Sequence, residues 1–349
     1  MTEPHAPGSQ PLDMQRLGAW LRAHVDDFRG ELTAEKFAGG QSNPTYALSI
    51  DGRRRYVLRR KPGGDLLPSA HAVDREFRVA RALHDTAVPV AKMHALCEDA
   101  SVIGAMFYVM DFVEGRTFWD PRLPEIESAD RAAYYDAMNR AIAALHSLDP
   151  EALGLADFGR PGNYFARQIA RWSKQYRATE TERIDAMENL IAWLPEHVPE
   201  GDASRVVHGD FRIDNLLFHP SEPRILAVLD WELSTLGHPL ADFAYHVMVW
   251  RLTPQQFRGL GQTDLAALNI PDEDAYLRLY LQRTGQRDFE RRDWEFAIAY
   301  NLFRVACIRQ GILKRALAGN ASNERALEAG SRVREMAEIA WRQVERIAG

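Results

Sequence analysis

The sequence predicts an α+β fold with two lobes: an N-lobe with an antiparallel sheet and a helix, and a larger, mostly helical C-lobe. The chain has 349 residues, more than one small core usually takes. Between about residues 30 and 112, short apolar segments show strand-like patterning, with one helical segment among them. Beyond residues 114–116 almost every periodic segment has helical spacing. We therefore expect a disordered tail at 1–12, an N-lobe at 13–113 and a C-lobe at 114–349.

The N-lobe elements follow from local patterns. Residues 13–28 carry apolar side chains at helical spacing and predict an amphipathic helix. Strands at 37–50 and 54–60 flank Asp51-Gly52, a pair of residues that favours a tight hairpin turn. A Pro- and Gly-containing linker leads to a second amphipathic helix, over 70–85. Two more strands are predicted, at 92–99 and 105–113.

The C-lobe segments have helical spacing at about 128–147, 163–178, 180–194, 239–250, 273–283, 291–318 and 323–347. One β-rich island interrupts them at 205–232, with the sequence RVVHGDFRIDNLLFHPSEPRILAVLDWE. It is the only stretch of this half that indicates a sheet, and its polar residues have the most informative spacing.

Composition and charge exclude several classes of function. Lys and Arg number 43 against 49 Asp and Glu, a net charge of −6, so the chain lacks the overall basic character that nucleic-acid phosphates require. The two cysteines, Cys97 and Cys307, have neither disulfide-framework nor zinc-site spacing. The N-terminus lacks a signal-peptide pattern and no apolar run is long enough to span a membrane, so we expect a cytoplasmic protein with no nucleic-acid or membrane partner.

The island places three oxygen-bearing side chains at spacings that suit phosphoryl transfer. Asp210 is followed five residues later by Asn215, and a short apolar hairpin then leads to Asp230. Phosphoryl transfer from ATP requires a carboxylate to orient the attacking hydroxyl and oxygen ligands to hold magnesium. Asp210 suits the first role, and Asn215 and Asp230 suit the second.

His208 to Asn215, HGDFRIDN, resembles the HxDxxxxN catalytic loop of protein-kinase-like enzymes, and its Gly is typical of the aminoglycoside phosphotransferase and choline kinase branch. The run LDWELSTLGHPLADFAYHV resembles the phosphotransferase-like domain fused to some acyl-CoA dehydrogenases. The resemblance implies a bilobal protein-kinase-like fold and a small-molecule kinase that uses ATP and Mg²⁺. It makes Asp210 the catalytic base, assigns the metal to Asn215 and Asp230, and implies that Asp242 braces the loop. Trp231 in place of the usual Phe argues against protein-kinase-style switching.

The resemblance also implies a phosphate clamp in the N-lobe. Arg59 aligns with the usual clamp lysine, although Lys61 on the same strand face remains an alternative. Its carboxylate partner is expected on the following helix, with Glu76 preferred and Asp74 second. The phosphate-covering loop is expected to use Gly39, Gly40, Ser42 and Asn43. The adenine is expected beside backbone groups of Met110, Asp111 and Val113.

The acceptor is the least determined feature. Helices over 163–178 and 291–318 carry several arginines and lysines, among them Arg304, which are either solvated charges or a basic entrance for an anionic acceptor. The resemblance to domains fused with acyl-CoA dehydrogenases favours a hydroxyacyl-CoA or hydroxy acid and suggests a functional link to those enzymes. The alternatives are an aminoglycoside- or choline-type kinase and a nucleotide-binding pseudokinase scaffold.

Overall fold

The structure is a computed structural model that describes residues 12–37, 43–62, 72–201, 203–286, 289–319 and 326–348. In the first third of the chain the elements are α1 (Met14–His24), β1 (Leu32–Lys36), β2 (Thr45–Ile50), β3 (Arg53–Arg60), α2 (Val73–Leu83), β4 (Met93–Cys97) and β5 (Phe107–Asp111). The remaining elements are α3 (Ser128–Ser147), α4 (Tyr164–Thr179), α5 (Asp185–Glu196), β6 (Arg205–Val207), β7 (Leu216–Phe218), β8 (Ile225–Val228), β9 (Thr235–Gly237), α6 (Pro239–Val247), α7 (Pro254–Phe257), α8 (Glu273–Thr284), α9 (Arg291–Leu317), α10 (Ala326–Ser331) and α11 (Val333–Ala348).

The chain divides into two compact units. The first contains the described residues up to Thr117 together with Leu153–Leu155 and Asn215–Ser234, and the second contains the rest. The residues 215–234, which follow residue 114 in the chain, therefore pack within the first unit. The predicted α+β fold class is confirmed, with an antiparallel sheet in one unit and mostly helices in the other.

The first unit is built on a five-stranded antiparallel sheet in the order β1-β2-β3-β5-β4. The predicted Asp51-Gly52 turn joins β2 to β3, and both residues have positive φ, 51° and 77°, as a type I′ hairpin turn requires. Because side chains alternate across a strand, Phe107 faces the core beneath α1, whereas Tyr108 faces α2. The sheet thus has one helix on each face.

The second unit is organised around α9. Every residue of α9 from Trp294 to Cys307 is buried, because α4, α6 and α11 pack against it. The strands β6 and β9 form a two-stranded antiparallel pair in this unit, and β7 and β8 form another in the first unit. Among the described residues, no helix combines the length and the apolar character that crossing a membrane requires.

Three short elements differ from the prediction. The strand β1 was not predicted, because LTAEK alternates weakly and lies at the sheet edge. The strand β9 and the single turn α7 are also new, and both are too short to show periodicity. The predicted strand over 37–50 begins only at Thr45, and residues 38–42 lie outside the described residues. The last predicted helix is divided into α10 and α11.

Candidate active site

A half-buried arginine and three carboxylates form the first group of candidate residues, all in the first unit. Arg59, near the end of β3, places Nε 2.8 Å from Oε2 of Glu76 on α2 and donates from Nη2 to Oδ1 of Asp230 at 2.9 Å. Glu232 lies 3.8 Å from the same Nη2. The Arg59–Glu76 contact is an ion pair, since Nε of Arg59 makes no hydrogen bond among the described residues. Burial opposes the charge of Arg59, but these carboxylates outweigh it and raise its pKa.

The alternatives left open for the phosphate clamp differ in their surroundings. Arg59 makes the contact with Glu76, whereas Lys61 lies beyond the end of β3, where its backbone N–H donates to Met106 O at 2.9 Å. Of the two acidic residues proposed on α2, Glu76 is the one that Arg59 contacts. The geometry of the first unit therefore favours the Arg59–Glu76 pair.

Glu76 is held from three directions. Its side chain is only 2% exposed, and it accepts hydrogen bonds from Asn43 Nδ2 at 2.8 Å and from the Tyr108 hydroxyl at 3.0 Å. Burial raises the pKa of Glu76 to about 7, although Arg59 lowers it. Asn43, predicted to face phosphate, is buried here and orients the glutamate. Gly39, Gly40 and Ser42 lie outside the described residues.

The hairpin β7–β8 brings the two predicted metal ligands together. The backbone N–H of Leu229 donates to Asn215 O at 2.8 Å, so Asp230 follows the residue that pairs with Asn215. Asp230 itself has left-handed backbone angles, φ 65° and ψ 60°. An amide and a carboxylate oxygen are donors that fit Mg²⁺, which commonly takes one or two protein ligands and completes its shell with water and phosphate. Within the described ranges, no group of three or more His, Cys, Asp or Glu residues could hold a metal.

The predicted hinge residues lie on and just after β5. Met110 pairs with Val57 of β3 and with Met93 of β4, so its backbone belongs to the sheet. The Asp111 carboxylate lies 2.6 Å from His94 Nε2. Val113 follows the end of β5 and is half-buried. These positions leave the assignment to adenine as a proposal.

The second group of candidate residues lies in the second unit and surrounds Asp210. The Tyr245 hydroxyl, on α6, donates to Asp210 Oδ1 at 2.6 Å. Arg212 pairs with the same carboxylate, with Nε 3.1 Å from Oδ1 and Nη2 3.3 Å from Oδ2. Burial and the neighbouring Asp210 raise the pKa of Tyr245, so the phenol stays protonated and acts as a donor. The carboxylate is thus oriented by a hydroxyl and a guanidinium.

Asp242 braces the loop that carries Asp210. Its two oxygens accept the backbone N–H groups of His208 at 2.7 Å and Gly209 at 2.8 Å, and one also contacts His146 Nε2 at 3.1 Å. Gly209 has φ +83°, a left-handed conformation that disfavours a side chain. Burial would raise the pKa of Asp242, but His146 and the backbone donors outweigh it and lower that pKa. The brace that the resemblance implied is therefore present within this unit.

Arg304 is neither a solvated charge nor part of a basic entrance. It is 6% exposed and donates from Nη2 to Gly209 O at 2.7 Å. Its guanidinium carbon lies 4.8 Å from the centre of the Tyr245 ring. Arg177, by contrast, is an exposed residue of α4 that pairs with Glu188 at 2.7 Å. The basic residues of these helices therefore do not act as one surface.

Sequence reasoning did not assign Tyr245 or Arg212 to the site, and it did not place Arg304 against the loop that carries Asp210. Tyr245 and Arg212 lie inside motifs that were recognised, but a tyrosine or an arginine at these motif positions does not by itself indicate a site residue. Arg304 is 95 positions from Gly209. The available signal was composition: Arg304 lies in the long, mostly apolar run of α9, where arginine is unusual.

The comparisons with known proteins support one family. A family model described as phosphotransferase enzyme family matches residues 33–292. Mouse acyl-CoA dehydrogenase family member 10 is 47% identical over 89% of this chain and 29% of its own length, and mouse member 11 is 42% identical over 94% and 42%. The chain thus spans less than half the length of these curated relatives.

Solved structures agree on the fold. A Ralstonia eutropha protein, provisionally described as an aminoglycoside phosphotransferase, is 54% identical, covers 96% of this chain and 99% of its own, and has a TM-score of 0.89. The macrolide 2′-phosphotransferase MphH of Brachybacterium faecium has a TM-score of 0.57. It is 18% identical and covers 92% of this chain and 97% of its own, so it shows the fold alone. The predicted family is confirmed: this chain belongs to the phosphotransferase enzyme family.

Proposed function

We propose that this kinase transfers the γ-phosphoryl group of ATP, with Mg²⁺, to a hydroxyl of a small hydroxylated acid or its CoA thioester. The observation that carries the proposal is Asp210, which Tyr245 and Arg212 orient on a loop braced by Asp242. A carboxylate held in this way is suited to receive the proton of an attacking hydroxyl.

The nucleotide half of the proposal rests on the first unit. Arg59, supported by Glu76, would contact the phosphates, and Asn215 and Asp230 would hold Mg²⁺. When bound, Mg²⁺ would neutralise the charge on the phosphate oxygens. A thermostable mutant of the aminoglycoside phosphotransferase APH(4)-Ia, which shares the fold, has been solved with AMP-PNP and hygromycin B. The glycine loop and the backbone of Met110, Asp111 and Val113 would contact the rest of the nucleotide.

In the transfer step, the acceptor oxygen forms a bond to the γ-phosphorus while the bond from that phosphorus to the β,γ-bridging oxygen breaks. The hydroxyl proton passes to a carboxylate oxygen of Asp210, and ADP leaves with the electron pair of the broken bond. Asp210 fixes the direction of the hydroxyl before transfer. Tyr245 and Arg212 keep that carboxylate from rotating.

The proposed acceptor class follows from charge and from the relatives. Two guanidinium groups lie beside Asp210 or its loop, Arg212 by ion pair and Arg304 through Gly209, and their charge disfavours a polycationic antibiotic as the acceptor. The curated relatives are named as acyl-CoA dehydrogenase family members, which is why we extend the proposal to acyl compounds and to a functional link with such dehydrogenases.

The test is ATP consumption with Mg²⁺ over a panel of hydroxyacyl-CoAs, hydroxy acids, amino alcohols, sugars and aminoglycosides, with Asp210→Ala as the blank. We expect turnover with hydroxy acids or their CoA thioesters that the blank reduces by orders of magnitude, with ATP affinity nearly unchanged. Turnover with aminoglycosides alone would refute the acceptor class. ATP binding without turnover on any acceptor would favour a pseudokinase scaffold, and no ATP binding would refute the kinase assignment of the site.

A further inference from the structure

A small cavity lies beside the catalytic loop, entirely within the second unit. One wall is Arg212–Asp214, which begins two residues after Asp210. The other walls are mostly aromatic, and they include Tyr135 of α3, Trp250 and Phe257 of α7. We call this space the loop cavity.

Arg212 connects the loop cavity to the reacting carboxylate. Its side chain lines the cavity, and its Nε lies 3.1 Å from Asp210 Oδ1. Only one guanidinium group therefore separates the cavity from the carboxylate. A hydroxyl placed at Asp210 and a hydrocarbon group placed in the cavity can belong to the same small molecule.

The charges around the loop cavity already compensate one another. Asp214 is the only carboxylate among the lining residues, and it pairs with Arg212 at 3.3 Å and with Arg258 at 3.2 Å. His246 also lines the cavity, but burial lowers its pKa to about 4, so it is neutral at pH 7. An ammonium group placed here would lose its hydration without gaining a free carboxylate. The walls therefore favour an uncharged, apolar group.

The size and the mouth of the loop cavity limit the length of that group. The cavity volume is about 30 Å³. A cavity of this size accommodates only a short hydrocarbon group. Trp119 is 67% exposed and stacks on Arg258, with the guanidinium carbon 3.9 Å from the ring centre. A longer chain would have to displace this stacked pair.

We propose that the loop cavity is a subsite for the hydrocarbon end of the acceptor, the part beyond the hydroxyl-bearing carbon, and that it selects short chains. The inference rests on the proposed function and adds the chain-length limit to it. The Trp119–Arg258 stack sets this limit, and Asp214 holds the stack in place through Arg258. The remainder of the acceptor, including any thioester, extends away from the cavity.

Two substitutions change the cavity in opposite directions. Val249→Phe would fill it, because Val249 lines it and contributes only its backbone carbonyl to the hydrogen bond with Leu260. Trp119→Ala would open its mouth. Leu317→Ala is the matched control, since Leu317 is an exposed apolar side chain of α9 that does not line the cavity. Thermal denaturation of each variant would establish that it is folded.

The measurement is kcat/KM for 3-hydroxyacyl- and 4-hydroxyacyl-CoAs with zero, one, two and four carbons beyond the hydroxyl-bearing carbon. In the parent protein, kcat/KM should rise about fourfold for each carbon added beyond the hydroxyl-bearing carbon, up to two carbons. It should then fall for the substrate with four such carbons. Val249→Phe should reduce the ratio of the two-carbon to the zero-carbon substrate roughly tenfold, and Trp119→Ala should raise the four-carbon to two-carbon ratio. Ratios in both variants that match Leu317→Ala would overturn the proposal.

A second probe separates this inference from the proposed function. If the parent protein phosphorylates none of these compounds, the proposed acceptor class fails, but the cavity can still be tested with 1-butanol by saturation-transfer NMR. Loss of the 1-butanol signal in Val249→Phe, and not in Leu317→Ala, would support an apolar subsite. Equal signals in both variants would overturn it.

Discussion

The contact between Tyr245 and Asp210 can be tested by removing a single oxygen. Tyr245→Phe deletes the hydroxyl that donates to Asp210 Oδ1 at 2.6 Å. The ring remains, and with it the surface over which Arg304 lies at 4.8 Å. Arg212 also keeps its ion pair with Asp210. The substitution therefore changes the orientation of the carboxylate more than the packing around it.

The magnitude follows from the type of bond. A hydrogen bond to a charged group contributes about 1.5–3 kcal/mol. Because Arg212 still holds the carboxylate, we expect a loss at the lower end of that range, about 1.5 kcal/mol. About 1.4 kcal/mol corresponds to a tenfold change in rate. Tyr245→Phe should therefore lower kcat about tenfold. The KM for ATP should hardly change, since Asp210 is assigned to the acceptor hydroxyl.

The assay is steady-state turnover with the acceptor that the panel identifies, with ATP and acceptor varied separately. Tyr300→Phe is the matched control: Tyr300 is buried one helical turn before Arg304, and within the described chain its hydroxyl has no carboxylate partner. Turnover of Tyr245→Phe within twofold of that control would refute the role of the hydroxyl. An equal loss of ATP affinity would refute the assignment of Asp210 to the acceptor.

Three further predictions concern stability and are measured by denaturant unfolding. Burial raises the pKa of Glu76 from 4.5 to about 7, so between these pH values Glu76 holds a proton in the folded protein but not in the unfolded chain. This proton should stabilise the fold fully below pH 4.5, and the stabilisation should be lost as the pH rises through 7. Glu76→Gln should remove this dependence of the unfolding free energy on pH. The same dependence of unfolding free energy on pH in Glu76→Gln would contradict this. Asp242→Asn should lower the unfolding free energy by about 1.5–3 kcal/mol, since an amide can accept only one of the two backbone N–H groups; equal stability would show that the brace is dispensable. Gly115→Ala should cost about 1–3 kcal/mol, because its Cβ would lie 2.5 Å from Phe218 O, and an unchanged midpoint would mean that the backbone relaxes freely.

The local elements of the fold could be read from the sequence because their causes are local. Asp51-Gly52 predicted a tight hairpin turn since few other residues adopt two positive φ angles, and the structure has that turn. The long helices were predicted within a few residues for the same reason, because helical periodicity extends over many turns in α3 and α9. The strand β1, with five residues and a weak pattern, had too little local signal.

The sequence by itself determined the fold class, the family and the motif that contains Asp210, because the spacing of residues 208–215 follows from one loop whose neighbours are sequence neighbours. Only the tertiary structure decided that Arg59 rather than Lys61 contacts Glu76, that Asn43 is buried against that glutamate, and that Tyr245 and Arg304 support the loop. These contacts join residues 17 to 95 positions apart. The sequence states which groups are present, whereas packing alone sets which carboxylate each hydroxyl or guanidinium meets.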